Sequence, residues 1–224
     1  MKKIYKNRFT FILLISVVSW NTYSQQTAAD PIKNPPITTE ALFGNRGMSF
    51  QMIIDKKFQS IPRLGFFSVT NLVGEWDNNR IEDYMTQANL TFEFAKGFKL
   101  TGGFHVTPVT GIRPTAGVMY TYANPDWLVV VNSRTDLSQD INVEGLVLVE
   151  YKPKINDTWR FYSRVQGLYE YNTVIEKHYR SYVVARAGVS IKEFTFGVGA
   201  NIDYYGPAKH NENNVGGFLS FQLL

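Results

Sequence analysis

The sequence predicts an all-β fold, a transmembrane antiparallel up-and-down β-barrel. From residue 46 onward, apolar side chains alternate with polar ones, which is the repeat of a β-strand. Several alternating segments approach or exceed the roughly 9–11 residues that a tilted strand needs to cross a bilayer. Tight turns alternate with longer polar connections between these segments. We expect twelve strands, with ten as the alternative.

The first 24 residues are predicted to be a secretory signal peptide. Four basic residues precede an apolar segment at 9–20, and Ser24 is a small residue suited to cleavage before Gln25. Removing these four from the 23 lysines and arginines leaves 19, against 19 acidic residues. The remaining chain is therefore neutral, and no nucleic-acid partner is expected. Residues 25–37 contain three of the nine prolines and are predicted to form a flexible periplasmic segment.

The barrel is predicted to occupy residues 38–224. Segment 98–107 shows the alternation clearly, because Phe98 and Phe104 fall on one face and His105 falls on the other. The same pattern defines ten further strands, and a strand at 38–44 is added because an even strand number returns both ends of the chain to one side. In chain order, the predicted strands cover residues 38–44, 48–55, 63–72, 84–94, 98–107, 112–122, 127–134, 141–151, 159–171, 178–190, 194–204 and 214–224.

Ten strands would remain if residues 38–57 lay outside the barrel wall. The connections divide into two groups, one for each rim of the barrel. Bacterial barrels keep their tight turns on the periplasmic side, so the rim with the short connections is predicted to be periplasmic. The short or moderate connections are 95–97, 124–126, 152–158 and 192–193, and the longer polar connections are 73–83, 133–140, 172–177 and 205–213.

Aromatic residues flank the predicted strands at both rims on the apolar face. Aromatic rings collect at membrane–water interfaces because one part of the ring system can be apolar while another stays wet. We therefore expect two aromatic girdles on the outer surface. The residues are Phe94, Phe98, Tyr122, Trp127, Tyr151, Trp159 and Phe194 at the short-turn rim, and Tyr169, Tyr171, Tyr179 and Tyr204 at the other rim.

The opposite face carries charged residues that we expect to line the lumen. One interpretation is that arginines and carboxylates pair and fill a narrow barrel. The other is a charged track for a small solute, with space left by inward glycines such as Gly188 and Gly197. The arginines on segments 159–171 and 178–190 would form its densest basic part. The predicted lumen residues are Arg113, Arg134, Arg160, Arg164, Arg180, Arg186, Glu93, Glu144, Glu150, Glu170, His105 and Asp203.

These features resemble small outer-membrane β-barrel proteins of Gram-negative bacteria over residues 46–224, without matching one specific family. Residues 217–224 are similar to the C-terminal assembly signal of such proteins, although Leu224 stands where an aromatic residue is favoured. The junction at Ser24 resembles leaders of exported Bacteroidetes proteins. The resemblance implies an outer-membrane location, contact with outer-membrane lipid, assembly by the barrel-assembly machinery, and a monomer. In size and arginine usage, the chain also looks like twelve-stranded channels for acidic oligosaccharides.

No enzyme, cofactor or metal site is expected from the sequence. The chain has no cysteine, and its three histidines have no metal-ligand spacing. Outer-membrane lipid hydrolases carry a His-x-Ser pair, but His105 is followed two residues later by Thr107. In a regular strand, His178 and Ser181 would face opposite sides. The predicted function is a passive or weakly selective pore for small polar or charged solutes, and the alternative is a closed structural or partner-binding barrel with functional extracellular loops.

Overall fold

The structure is a computed structural model that describes residues 32–77, 83–139 and 141–223. The predicted signal peptide, its cleavage site and residues 25–31 lie outside the described residues. The described chain contains twelve strands: β1 Ile37–Gly44, β2 Gly47–Phe58, β3 Ile61–Glu75, β4 Asp83–Ala95, β5 Phe98–Thr107, β6 Gly111–Ala123, β7 Trp127–Asp136, β8 Asn142–Tyr151, β9 Trp159–Asn172, β10 Lys177–Ile191, β11 Phe194–Tyr205 and β12 His210–Leu223.

Each strand pairs antiparallel with its neighbours in sequence, and β1 pairs with β12 to close the barrel. The closing register begins with Ile37 opposite Leu223 and ends with Gly44 opposite Gly216. The predicted twelve-stranded barrel is thereby confirmed, and the ten-stranded alternative is wrong because β1 and β2 both belong to the wall. Within the described segments, no helix is both long and apolar enough to span a membrane.

The two rims differ less in their connections than the sequence predicts. The terminal rim holds both ends of the barrel and the connections 59–60, 96–97, 124–126, 152–158 and 192–193. The opposite rim holds the connections 45–46, 76–82, 108–110, 137–141, 173–176 and 206–209. The expected long loops are shorter because the strands continue into polar sequence, as where Tyr205 still pairs with His210.

Apolar side chains cover the outside of the barrel and polar ones fill much of its inside. Leu90, Phe104 and Val198 are 63%, 46% and 68% exposed. The residues that alternate with them point inward, and among these Lys99 and His105 are only 4% and 3% exposed. This is the reverse of a water-soluble β-protein, in which the apolar face is buried.

Part of the lumen is filled by apolar side chains. Phe67, Val69, Met85 and Met119 form one buried cluster, against which Ile53 and Val130 pack. A second buried cluster joins Leu42, Tyr162 and Phe218. Leu42 and Met119 have no exposed surface at all, so at these levels the barrel interior is packed like a protein core.

The inward glycines do not leave the open space that the sequence suggests. Gly188 and Gly197 are direct partners on β10 and β11. A Cβ atom added to Gly188 would lie 2.1 Å from the carbonyl oxygen of Phe196, and one added to Gly197 would lie 2.2 Å from that of Ala187. Such distances are far below a normal van der Waals contact, so these glycines permit close approach of the backbones.

Candidate functional site

A cavity of about 530 Å³ lies at the opposite rim. We call it the vestibule. Inward-facing strand ends and the turns at 107–109 and 206–207 form its walls. Among the described residues that line it, five are carboxylates and three are lysine or arginine. The lining residues include Arg46, Glu75, Asp83, Met85, His105, Glu144, Leu168, Glu170, Ile175, Lys177, His178, Tyr179, Arg180, Tyr182, Tyr205 and Glu212.

A smaller cavity of about 50 Å³ continues toward the middle of the barrel. We call it the inner chamber. Both cavities have Asn71, Val73, Arg180 and Tyr182 in their lining, so these four residues form the neck between them. The inner chamber reaches Glu40 and two arginines of the predicted ladder, Arg164 and Arg186. The two cavities therefore follow one another along the lumen, between β3 on one side and the arginines of β9 and β10 on the other.

Arg180 is held at the neck by carboxylates and aromatic rings. Its Nη2 donates to Asp203 Oδ1 over 2.8 Å and to the Tyr205 hydroxyl over 3.0 Å. The Tyr205 hydroxyl in turn donates to Asp83 Oδ2 over 2.5 Å. The guanidinium also lies over the Tyr205 and Tyr182 rings, 4.8 and 5.5 Å from their centroids. Cation–π contact and ion pairing therefore fix the position of this arginine.

A second group of charges crosses the lumen beyond the neck. Glu40 Oε1 accepts from Arg164 Nη2 over 2.7 Å and from Arg186 Nε over 2.9 Å. Glu40 lies on β1, whereas Arg164 lies on β9, so the contact joins strands that are not neighbours in the wall. The three side chains are almost completely buried. We call this group the Glu40 cluster, and it is a buried charged level of the path.

The predicted charges of β6 to β8 form a third group beside the vestibule. Arg134 donates to Glu144 Oε1 and Oε2 over 2.9 and 2.6 Å, and to Asp136 Oδ1 over 3.1 Å. Arg113 reaches the same aspartate at 3.2 Å. His105 is the direct strand partner of Arg113 and lies buried next to this group.

Glu170 takes part in a polar contact at the vestibule wall. Its Oε1 accepts a hydrogen bond from Asn142 Nδ2 over 2.9 Å, and Asn172 donates to Asn142 over 2.7 Å. These residues occupy neighbouring inward positions of β8 and β9. Glu170 is thus anchored by amides within the lumen lining.

The remaining predicted lumen charges lie near the terminal rim. Arg160 Nη2 contacts Asp126 Oδ1 at 2.7 Å and also donates to the backbone carbonyl of Lys152. Arg160 is therefore separate from the other three arginines of the expected ladder. Two further predicted carboxylates have partners there: Glu93 with Lys57, and Glu150 with Tyr162 and Lys152.

Tyr179 differs from the sequence prediction. Alternation places it in the outer aromatic girdle, but the register between β9 and β10 shifts between His178 and Arg180. The extra residue of this β-bulge reverses the alternation locally, and Tyr179 lines the vestibule instead. The other predicted girdle residues lie on the outer face, where Trp127 and Tyr151 stack with ring centroids 4.3 Å apart.

Several charged residues of the lumen were not predicted. Glu40 lies on a strand that was inferred from strand number alone, so its face was unassigned. Asp83 and Asp136 stand at strand ends, outside the predicted strands 84–94 and 127–134. The signal that would have found them is the continuation of the same alternation by one or two residues.

Arg46 was also missed, because it lies in the turn between β1 and β2. It binds Glu75 and Glu212. Burial lowers the pKa of Arg46, but the hydrogen bond to Glu75 and the charges of both carboxylates outweigh this effect, so the pKa lies above its ordinary value. The guanidinium therefore remains charged at the mouth of the vestibule.

No protein-family model matches the chain, and no curated protein matches its sequence. Among solved structures, the NanC porin is 16% identical, with 84% of this chain and 100% of that chain covered and a TM-score of 0.48. The KdgM porin is 11% identical, with 84% and 99% covered and a TM-score of 0.44. A structure described as the KdgM porin in complex with disordered oligogalacturonate is 12% identical, with the same coverage and TM-score.

Proposed function

We propose that the protein is an outer-membrane barrel that acts as a narrow, weakly selective pore for small polar or charged solutes. The observation that carries this proposal is the succession of vestibule, neck and inner chamber along the lumen. A solute would enter at the opposite rim, pass Arg180 and reach the Glu40 cluster. Movement of side chains in that cluster would then control passage toward the terminal rim.

The outer surface supports a membrane location. Leu90, Phe104 and Val198 lie exposed on three different strands, and burying such apolar surface in lipid is favourable by about 25 cal/mol per Å². Closure between β1 and β12 leaves no bare strand edge, which a spanning sheet requires because lipid offers no hydrogen bonds. We also propose export through the predicted signal peptide and insertion as a monomer by the barrel-assembly machinery.

Buried polar atoms along the path support hydration of the lumen. Within the described residues, Glu40 Oε2, Arg164 Nε, Arg180 Nε and the Tyr179 hydroxyl have no hydrogen-bond partner in the protein. Buried polar groups are nearly always satisfied by protein or water. Water in the vestibule and inner chamber would satisfy these atoms, and a permeating ion or polar solute would exchange with that water.

The charges along the path support weak rather than strong selectivity. Carboxylates outnumber cationic side chains in the described vestibule lining, which favours cations at the entrance. At the Glu40 cluster, two guanidiniums share one carboxylate, which favours anions. The two levels oppose each other, so we expect neither cations nor anions to be strongly excluded.

Single-channel recording in planar bilayers tests the pore. We expect small discrete current steps in potassium chloride, and larger steps for Arg164→Ala because this side chain crosses the lumen. Arg160→Ala is the matched control, because this substitution also removes a guanidinium, but from the terminal rim and not from the Glu40 cluster. Silence of the wild-type protein and of both variants, in bilayers shown to contain folded barrel, would refute the pore.

The alternative function, a closed barrel, has its own supporting observation. Leu42 and Met119 fill part of the lumen and have no exposed surface. In that case the vestibule would bind a solute without passing it. Met119→Ala distinguishes the two functions. If the wild-type protein is silent and Met119→Ala conducts, apolar packing closes the lumen and the closed barrel is favoured.

A further inference from the structure

A β-bulge brings a histidine and a serine together at the rim end of β10, where His178 also borders the vestibule. In a regular strand, His178 and Ser181 would face opposite sides, but the register shifts between His178 and Arg180. Ser181 is the direct strand partner of Tyr169 and of Tyr204, both of which are exposed on the outer face. Direct partners point to the same side of a sheet, so Ser181 faces outward too.

The imidazole of His178 bridges the serine and a backbone carbonyl. Its Nδ1 lies 2.7 Å from the carbonyl oxygen of Gly206, and its Nε2 lies 3.0 Å from Ser181 Oγ. A carbonyl oxygen can only accept a hydrogen bond, so Nδ1 carries the proton in the neutral ring. Nε2 is then unprotonated and accepts the serine hydroxyl proton. This is the hydrogen-bond order of a nucleophile, its base and a group that orients the base.

The ring is held in place by its surroundings. The centroids of the Tyr169 and His178 rings are 5.5 Å apart, and His178 is only 8% exposed, whereas Ser181 is half-buried. The serine is therefore the accessible member of the pair, and the histidine is the positioned one. A packed base with a fixed tautomer costs little reorganisation when it takes up a proton.

We propose that Ser181 is a nucleophile and His178 its general base in a site that hydrolyses carboxylic esters of membrane lipids. The substrate class follows from the position of the pair, beside outward tyrosines near the rim. Aromatic residues mark the boundary between hydrocarbon and headgroups, and the ester carbonyls of glycerolipids lie at that boundary. The choice of lipid rests on the membrane location proposed above, but it does not depend on conduction through the lumen.

The reaction needs only the ester and water. Ser181 Oγ attacks the carbonyl carbon while its proton passes to His178 Nε2. The carbon–oxygen bond to the alcohol then breaks, and the imidazolium returns that proton to the leaving alkoxide, which leaves an acyl-serine. Water, deprotonated by Nε2, attacks the acyl carbon, the fatty acid is released, and the proton returns to Ser181 Oγ.

Covalent labelling tests the nucleophile on the full folded chain in detergent. A fluorophosphonate probe, followed by peptide mass spectrometry, should modify Ser181, and Ser181→Ala should abolish that modification. Ser190→Ala is the matched control, because Ser190 lies on the same strand, is buried and is hydrogen-bonded to Thr195. Absence of label on Ser181 in barrel that migrates as folded on unheated gels would overturn the proposal.

Hydrolysis tests the substrate and the base. In mixed phospholipid–detergent micelles we expect the wild-type protein to release fatty acid. The rate of release should fall below detection in Ser181→Ala, and it should fall about 10²–10⁴-fold in His178→Asn, which is the usual effect of losing a general base. Equal rates in wild type and Ser181→Ala would overturn the site. Vesicle flotation, measured alongside, distinguishes failure of this inference from failure of the proposed membrane location. A protein that floats with vesicles but releases no fatty acid would refute only the hydrolytic site. A protein that does not float would refute both the membrane location and the lipid substrate.

Discussion

Replacing Glu40 by glutamine should destabilise the barrel strongly. The carboxylate accepts from Arg164 over 2.7 Å and from Arg186 over 2.9 Å, and all three side chains are buried. Glutamine keeps the shape of the side chain but carries no charge. Among the described residues, Glu40 is the only carboxylate that forms an ion pair with Arg164 or Arg186. Removing one partner from a buried ion pair costs about 3–5 kcal/mol, so we expect the free energy of unfolding to fall by that amount.

Urea unfolding in detergent micelles, followed by tryptophan fluorescence, measures this change. Asp126→Asn is the matched control, because it makes the same chemical replacement in the ion pair with Arg160 at the terminal rim. The Asp126 side chain is 50% exposed, and exposed ion pairs contribute about 0–1 kcal/mol. The expected difference between the two variants is therefore several kcal/mol.

A double variant identifies the cause of the loss. If the destabilisation comes from uncompensated positive charge, adding Arg186→Gln to Glu40→Gln should restore part of the stability, since it removes one of the two guanidiniums. A loss for Glu40→Gln no larger than that for Asp126→Asn would show that the cluster is hydrated well enough to need no counter-charge. The account of the Glu40 cluster as a buried group in which the carboxylate compensates both guanidiniums would then be wrong.

Three further predictions concern the wall and its orientation. Phe104 lies on the lipid face, so Phe104→Arg should lower the free energy of unfolding in vesicles by about 2–4 kcal/mol, the cost of a cationic side chain near the bilayer centre. Thr101→Arg is the control on the inward face: its effect on the free energy of unfolding should be the same in vesicles and in detergent, because this side chain does not contact lipid. Gly188→Val should prevent the folded, heat-sensitive gel migration, because its Cβ would overlap backbone of β11. A protease site inserted at 206–209 should be cut on intact cells, and one at 124–126 should not. The reverse result would show that the predicted orientation of the barrel in the membrane is wrong.

The fold could be predicted from the sequence because its signal is repeated in almost every strand. One face of each segment carries residues such as Phe104 and Val198, and any register error would turn that whole face inward. Repetition over many strands makes the prediction reliable, although the alternation in any one strand is a weak signal. Strand number followed from the need to return both chain ends to one rim, which β1 and β12 satisfy.

The details of the lumen could not be predicted in the same way. Alternation tells which side of the wall a residue faces, but not which residue it meets across the barrel, as Arg164 meets Glu40. It also fails at a bulge, because one added residue exchanges Tyr179 and His178 between the two faces. The role of the inward glycines could not be predicted for a related reason: the sequence does not show how closely the backbones of β10 and β11 approach at Gly188.

The pairing of Ile37 with Leu223 has a consequence for how the chain is made. The two strands of this seam lie at opposite ends of the barrel sequence, so β1 has no partner on one side until β12 has been synthesised. Until then the sheet has two bare edges, which invite pairing with other chains, and long-range closure of this kind is slow. Loss of the last strand by a premature stop would leave a sheet that can neither close nor remain in lipid.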